Sequence, residues 1–280
     1  MKYVLPLLIG TLAAVGLTAP PTAAHDDEGG SAPSLAAMDA ARDHSAGSHL
    51  SKEPGGGRSS AGLLEAQVRG LDVSAWQEAH DEPSNESRLD WRGLSDQGAR
   101  FVYIKATEDD DYANRFYPSQ YAGARGAGLK TGSYHFANAG WSDARSQAEY
   151  FVAKSHPWTD DGQSLGKAPD ELVSWIREFL QIAEVGFGRA PLIYTTASWW
   201  STCTADSAEF SDHPLTIARW RAVDLGPGAL PAAWDDWTFW QHWDDDPAGY
   251  SGPTPLFPGD QNLFNGSEED LAAFAAGDGG

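Results

Sequence analysis

The chain has 280 residues, with 40 acidic and 19 basic side chains and a formal net charge of −21. That length holds one large domain or two small ones. The charge argues against a nucleic-acid partner, because Lys and Arg supply the affinity for a phosphate backbone. A single cysteine, Cys203, excludes an internal disulfide framework and a cysteine-based zinc site.

Lys2, an apolar run over 4–17 and then Thr22-Ala23-Ala24 read as a secretory signal peptide spanning residues 1–24. The run is too short for a comfortable membrane span. The expected product is secreted and extracellular, with no membrane contact after cleavage. Residues 25–62 are rich in Gly, Ser, Ala, Asp and His and poor in aromatic and β-branched residues. They cannot bury enough apolar surface to fold, which predicts a disordered linker. The folded domain is expected over 63–280.

Val68, Leu71 and Val73 predict a strand, with Asp72 near its end and Ser74, Trp76 and Gln77 at its exit. Asp90 starts a short helix. The run 100–107 predicts a buried strand ending in Glu108 and three aspartates. A helix over 116–129, closed by Gly128, leads to a strand over 131–136. Helices are predicted over 143–155 and 170–184. The second is clearly amphipathic, with Asp170 as its N-cap and Gly186 as its stop. Strands follow at 191–196, 214–220, 237–243 and 260–264, with little helix between them. A helix over 267–276 starts at Ser267 and Asp270 in capping-box spacing.

Strands alternating with helices, then strands alone, predict an α/β barrel related to the eight-stranded type but short of its last helices. The pattern has a hole. Between the helices 143–155 and 170–184 stands only a loop, whose stretch Gln163-Ser164-Leu165-Gly166 is too short and polar for a barrel strand.

Several motifs now align. Leu71-Asp72-Val73-Ser74-Ala75-Trp76-Gln77, Tyr103-Ile104-Lys105-Ala106-Thr107-Glu108, Gly132-Ser133-Tyr134-His135-Phe136 and Asp260-Gln261-Asn262-Leu263-Phe264 resemble, in order, motifs of glycoside hydrolase family 25. These are the N-acetylmuramidase lysozymes. The stretch 191–204 and Ala218-Arg219-Trp220 also resemble its secreted bacterial branch. The resemblance covers about 68–266. It implies an irregular TIM-like (β/α)5(β)3 barrel and hydrolysis of the bond from N-acetylmuramic acid to N-acetylglucosamine in peptidoglycan. It also implies Asp72, Glu108 and Asp260 as catalytic carboxylates. Trp76, Tyr134, His135, Tyr194, Arg219 and Trp240 are the candidate substrate contacts. No cofactor and no metal are expected. The expected partner is the peptidoglycan glycan strand, met by a monomer.

One departure stands out. The family's fourth strand ends in Asp-x-Glu, whose Glu is taken as the general acid, and no such motif stands between Trp158 and Trp175. A missing segment on the order of 15–20 residues, one strand and its loop, explains the absent strand and the absent motif. Because the resemblance also places in that loop a cysteine pairing with the position of Cys203, the same gap explains the lone thiol. Glu108 is then the best remaining substitute. Asp109, Asp110 and Asp111 read as solvated loop charges, Asp170 and Glu171 as caps, and Glu149 as surface. His242 with Asp244, Asp245 and Asp246 permits a metal reading, but consecutive aspartates in such loops more often face solvent. His80 and His213 read as lone loop histidines. Three readings follow: a muramidase weakened by loss of its acid, a non-catalytic glycan-binding remnant, or an error in the gene sequence that hides a full enzyme.

Overall fold

The computed structural model describes residues 66–78, 84–155, 167–243 and 257–277. The expected signal peptide and the whole of the expected linker fall outside those residues. So do His80, Asp244 to Asp246 and the stretch 156–166, where the fourth strand was expected.

Among the described residues eight strands form one sheet. In chain order they are β1 (Val68–Val73), β2 (Ala99–Glu108), β3 (Tyr112–Ala113), β4 (Lys130–Phe136), β5 (Ile193–Thr195), β6 (Leu215–Ala218), β7 (Phe239–Trp243) and β8 (Asp260–Phe264). The helices are α1 (Trp91–Asp96), α2 (Tyr117–Gly126), α3 (Ala144–Lys154), α4 (Pro169–Phe187), α5 (Ala197–Cys203) and α6 (Glu268–Ala276). β1 pairs in parallel with β2, and β2 with β4. β5, β6 and β7 are likewise parallel neighbours. β8 closes between β7 and β1, antiparallel to both. Among the described residues no strand stands between α3 and α4, and none pairs with the outer edge of β4 or of β5. Among the described residues the sheet is a curled half-barrel. Two of these strands and helices went unpredicted: the two-residue β3, which hairpins onto the end of β2, and α5.

Alternation along the strands divides the apolar residues into two layers. Leu71, Val73, Val102, Ile104 and Leu263 face the helices, with Phe151, Leu172, Ile176 and Phe179 packed over them. Phe101, Tyr103, Tyr134, Phe136, Tyr194, Phe239 and Phe264 line the inner face, where Leu271 and Phe274 of α6 join them. α6 begins at the predicted box, with Ser267 Oγ accepting from Asp270 N and Asp270 Oδ2 accepting from Ser267 N.

The ends of α4 differ from expectation. Ala168 is its N-cap and Pro169 its first residue; Glu171 Oε2 accepts from Ala168 N at 3.1 Å. Asp170 sits in the first turn, where its charge still meets the positive end of the helix. The helix runs past Gly186 and stops at Gly188, at φ 71. Gly186 serves another purpose. A Cβ there would come within 2.5 Å of the Val152 side chain, so α3 and α4 approach over it.

His135 points from β4 into the helix layer. Its ring lies 5.2 Å from both Phe151 and Phe179, centroid to centroid. Nε2 is 3.1 Å from Gln147 Oε1 and Nδ1 is 2.8 Å from Thr107 Oγ1. The Gln147 amide nitrogen donates to Asn138 O and Ser142 Oγ, so its oxygen must accept. His135 therefore carries its proton on Nε2, and Nδ1 accepts from the Thr107 hydroxyl.

Burial pushes the His135 pKa down to about 3, against the opposing pull of the Gln147 hydrogen bond and the Glu108 charge. Burial likewise lowers His242 to about 4. Both rings are neutral in the fold, whereas the unfolded chain protonates near 6.5. Stability is therefore full above pH 6.5 and drains as pH falls through that window, by about 1.4 kcal/mol per pH unit for a single such group. Urea midpoints should be lower at pH 4.5 than at pH 7. His135→Gln, which cannot titrate, should narrow that difference; an unchanged difference would refute this account of His135.

Candidate active site

The carboxylates gather at one end of the half-barrel, where the parallel strands finish. Leu71 and Val73 are buried on the helix side, so Asp72 between them faces inward. β8 runs antiparallel to β1 and places Asp260 directly across from Asp72. Both are buried, at 2% and 4% exposure. Like charges directly opposite each other destabilise a strand pair. Here Gln241 Nε2 stands between them, 3.1 Å from Asp72 Oδ2 and 2.9 Å from Asp260 Oδ2. Asn262 Nδ2 adds a bond of 2.6 Å to the same Asp72 oxygen. Gln241 Oε1 accepts from Tyr194 Oη at 2.6 Å and from Trp220 Nε1 at 3.1 Å.

Gly259 lets β8 approach closely. It has φ 77, and a Cβ there would lie 2.2 Å from the Asp72 carbonyl oxygen. Only glycine tolerates both the left-handed backbone and the contact.

Glu108 reaches the inner face by a bulge. The β2–β4 register shifts between Lys105 and Thr107, so Ala106 is an extra residue on β2. Lys105 and Glu108, three apart, then share one face. Lys105 Nζ lies 2.7 Å from Glu108 Oε2, with both side chains buried. It also stands 4.9 Å from the Tyr112 ring centroid and 5.1 Å from that of Phe136, geometry that favours a cation. Asn138 Nδ2 donates to Glu108 Oε1 at 3.3 Å. Both oxygens of Glu108 are thus committed to donors.

The remaining expected residues divide. Tyr134 sits opposite Lys105 on the inner face. Trp76 is half-buried in the single 3-10 turn after β1, which Ser74 and Gln77 hold by reciprocal hydrogen bonds. Arg219 follows β6 at the same rim, half-buried, its guanidinium 3.4 Å from Pro227 O. Trp240 turns to the helix side and donates to Arg219 O at 2.8 Å. His135 and Trp240 thus stand apart from the carboxylate pair. Asp109, read as a solvated loop charge, is buried and accepts from Ser142 Oγ. Glu149 is exposed, as expected. Gln241, Asn262, Lys105 and Trp220 escaped the sequence reading as site residues. Their signal was a polar or indole side chain in phase with inward positions: Gln241 two residues after Phe239, and Asn262 two after Asp260.

The model of glycosyl hydrolases family 25 matches residues 71–249. The chain belongs to that family. The family 25 chain is 34% identical to an N,O-diacetylmuramidase of Arthroderma benhamiae, over 75% of its own length and 87% of that protein. It is 35% identical to an N,O-diacetylmuramidase of Chalaropsis, over 75% of its own length and all of that protein. Among solved structures it superposes on the Streptomyces coelicolor bacterial lysozyme with a TM-score of 0.65 and 30% identity, covering 76% of this chain and 98% of that one. The match includes Asp72, Glu108 and Gln241, and the half-barrel agrees with the fold of these relatives.

Gly259→Ala should push β8 away from β1 at Asp72 and lower wall-clearing turnover by more than tenfold, the scale expected when reacting groups move by a fraction of an ångström. Turnover equal to wild type would mean that the Asp72–Asp260 spacing does not matter.

Proposed function

We propose that this family 25 chain is a secreted, monomeric muramidase that cuts the N-acetylmuramic acid to N-acetylglucosamine bond of peptidoglycan. It does so from the inward carboxylates Asp72 and Asp260, with Glu108 farther along the inner face of β2. Asp72 carries the reading: a buried carboxylate at a strand end, fed by two amide donors, is suited to hold negative charge beside a developing oxocarbenium ion. Trp76, Tyr134 and Arg219 flank it as groove residues. Names of relatives in the same family support the substrate class. The signal sequence and linker pattern support export, and no helix among the described residues is long and apolar enough to cross a membrane.

The proton donor is the weak point. Each buried carboxylate among the described residues is already engaged. Asp72 and Asp260 share Gln241, Glu108 pairs with Lys105, Asp109 takes Ser142, and Glu78 accepts from Ser87, Arg88 and Gln120. That observation favours slow turnover over the usual rate. It also supports the second reading, a glycan-binding remnant that uses the same groove.

Clearing of a peptidoglycan suspension by the purified chain separates the two. Hydrolysis with release of reducing ends supports the muramidase, and retention on insoluble wall without clearing supports the remnant. Asp72→Asn should abolish clearing; unchanged turnover would remove Asp72 from the chemistry. Inserting a strand that ends in Asp-x-Glu after Leu165 should raise turnover by roughly 10²-fold, the lower range for a general acid. No gain in a folded insertion variant would show that another group supplies the proton.

A further inference from the structure

Tyr194 lies on β5, an edge strand of the sheet among the described residues, yet its hydroxyl acts on the centre of the carboxylate pair. A glutamine side chain has two nearly isosteric orientations, and which one it adopts depends on its neighbours. At Gln241 the neighbours leave no choice. Trp220 Nε1 can only donate, and it lies 3.1 Å from Gln241 Oε1. Tyr194 Oη, 2.6 Å away, donates to the same oxygen. The amide nitrogen must then face Asp72 and Asp260, and its two hydrogens match the two carboxylates. Reversing the amide would set its oxygen against both carboxylates and its nitrogen against the Trp220 N–H, which can only donate. Tyr194, Gln241 and Asp72 are fully or almost fully buried, at 0%, 0% and 2% exposure. Water is therefore a poor substitute for any of these bonds.

We infer that Tyr194 and Gln241 form a positioning relay, in which the Tyr194 hydroxyl locks the Gln241 amide so that it holds Asp72 and Asp260 in register as one unit. Tyr194 thus acts from behind the site, not as a surface for sugar, because its side chain is sealed from the groove. Trp220 is the second lock on the same oxygen. The inference rests on the reading of Asp72 and Asp260 as the working carboxylates, but the relay itself is a property of the folded chain.

Two variants test it. Tyr194→Phe keeps the ring and removes the hydroxyl. Gln241→Leu keeps approximate volume and removes the amide. Each should lower kcat roughly 10- to 100-fold with KM nearly unchanged, since neither residue touches substrate. Each should also move the acidic limb of the kcat/KM profile to higher pH, because the carboxylates lose the Gln241 donor in one variant and its fixed orientation in the other. Tyr194→Phe in the Gln241→Leu background should add no further loss, as expected for residues that act in series. Carbon-13 titration of the aspartate carboxyls, read by NMR on the folded chain, gives the same answer without turnover. Carboxyl midpoints that rise in both variants support the relay, even if the wild-type chain clears no wall; in that event it is the muramidase reading that fails. Folded variants whose titration and pH limb match wild type, or a double variant whose losses multiply, would overturn the relay.

Discussion

The closure of β8 onto β1 sets two carboxylates face to face in a buried site. Strand pairing puts Asp72 opposite Asp260, and electrostatics alone would drive them apart. The sheet tolerates this because a single amide, supplied from β7, donates to both oxygens. The rest of the inner face is arranged around that compromise. Tyr194 and Trp220 fix the amide from one side, Asn262 supports Asp72 from the other, and Gly259 brings the backbones close enough for the arrangement to form. The second buried charge cluster follows the same rule. Lys105 and Glu108 are removed from water together, and deleting either partner of such a pair typically costs about 3–5 kcal/mol.

Most of the architecture was legible because each strand carries its own alternation. The apolar runs at 100–107 and 131–136 and the amphipathic stretch of α4 required no tertiary information. α5 was not legible. Its sequence Ala197-Ser198-Trp199-Trp200-Ser201-Thr202-Cys203 has no strong helix formers beyond alanine, and the Thr196 cap together with burial of both Trp residues holds the turn. Gly186 looked like a stop and proved to be a contact point, because a glycine's role depends on what lies across from it.

The site was legible in part, and for a similar reason. Asp72 and Asp260 stand at strand ends, where a lone charge attracts notice. Gln241 gains its meaning from Asp72, 169 residues away in the chain, and no local pattern expresses that. His135 was placed in the groove beside Tyr134, yet adjacent strand residues face opposite ways, and the Phe151 and Phe179 rings claim it. The missing β-prone run predicts an interruption of the wall at a stretch that lies outside the described residues. The structure adds that β4 and β5 pair only on their inner sides among the described residues.

The bulge at Ala106 has a consequence for how this inner face could change over time. The inward aim of Glu108 is set by counting, since one additional residue rephases the end of β2. Lys105 and Glu108 share the inward face only while Ala106 is bulged out; flattening the strand at its present length would turn Glu108 toward the helices, whereas loss of the alanine would restore plain alternation and keep Glu108 inward. A one-codon deletion at the bulge would therefore preserve the inward pair of charges, while a change that straightened the strand without altering its length would separate them in a single step.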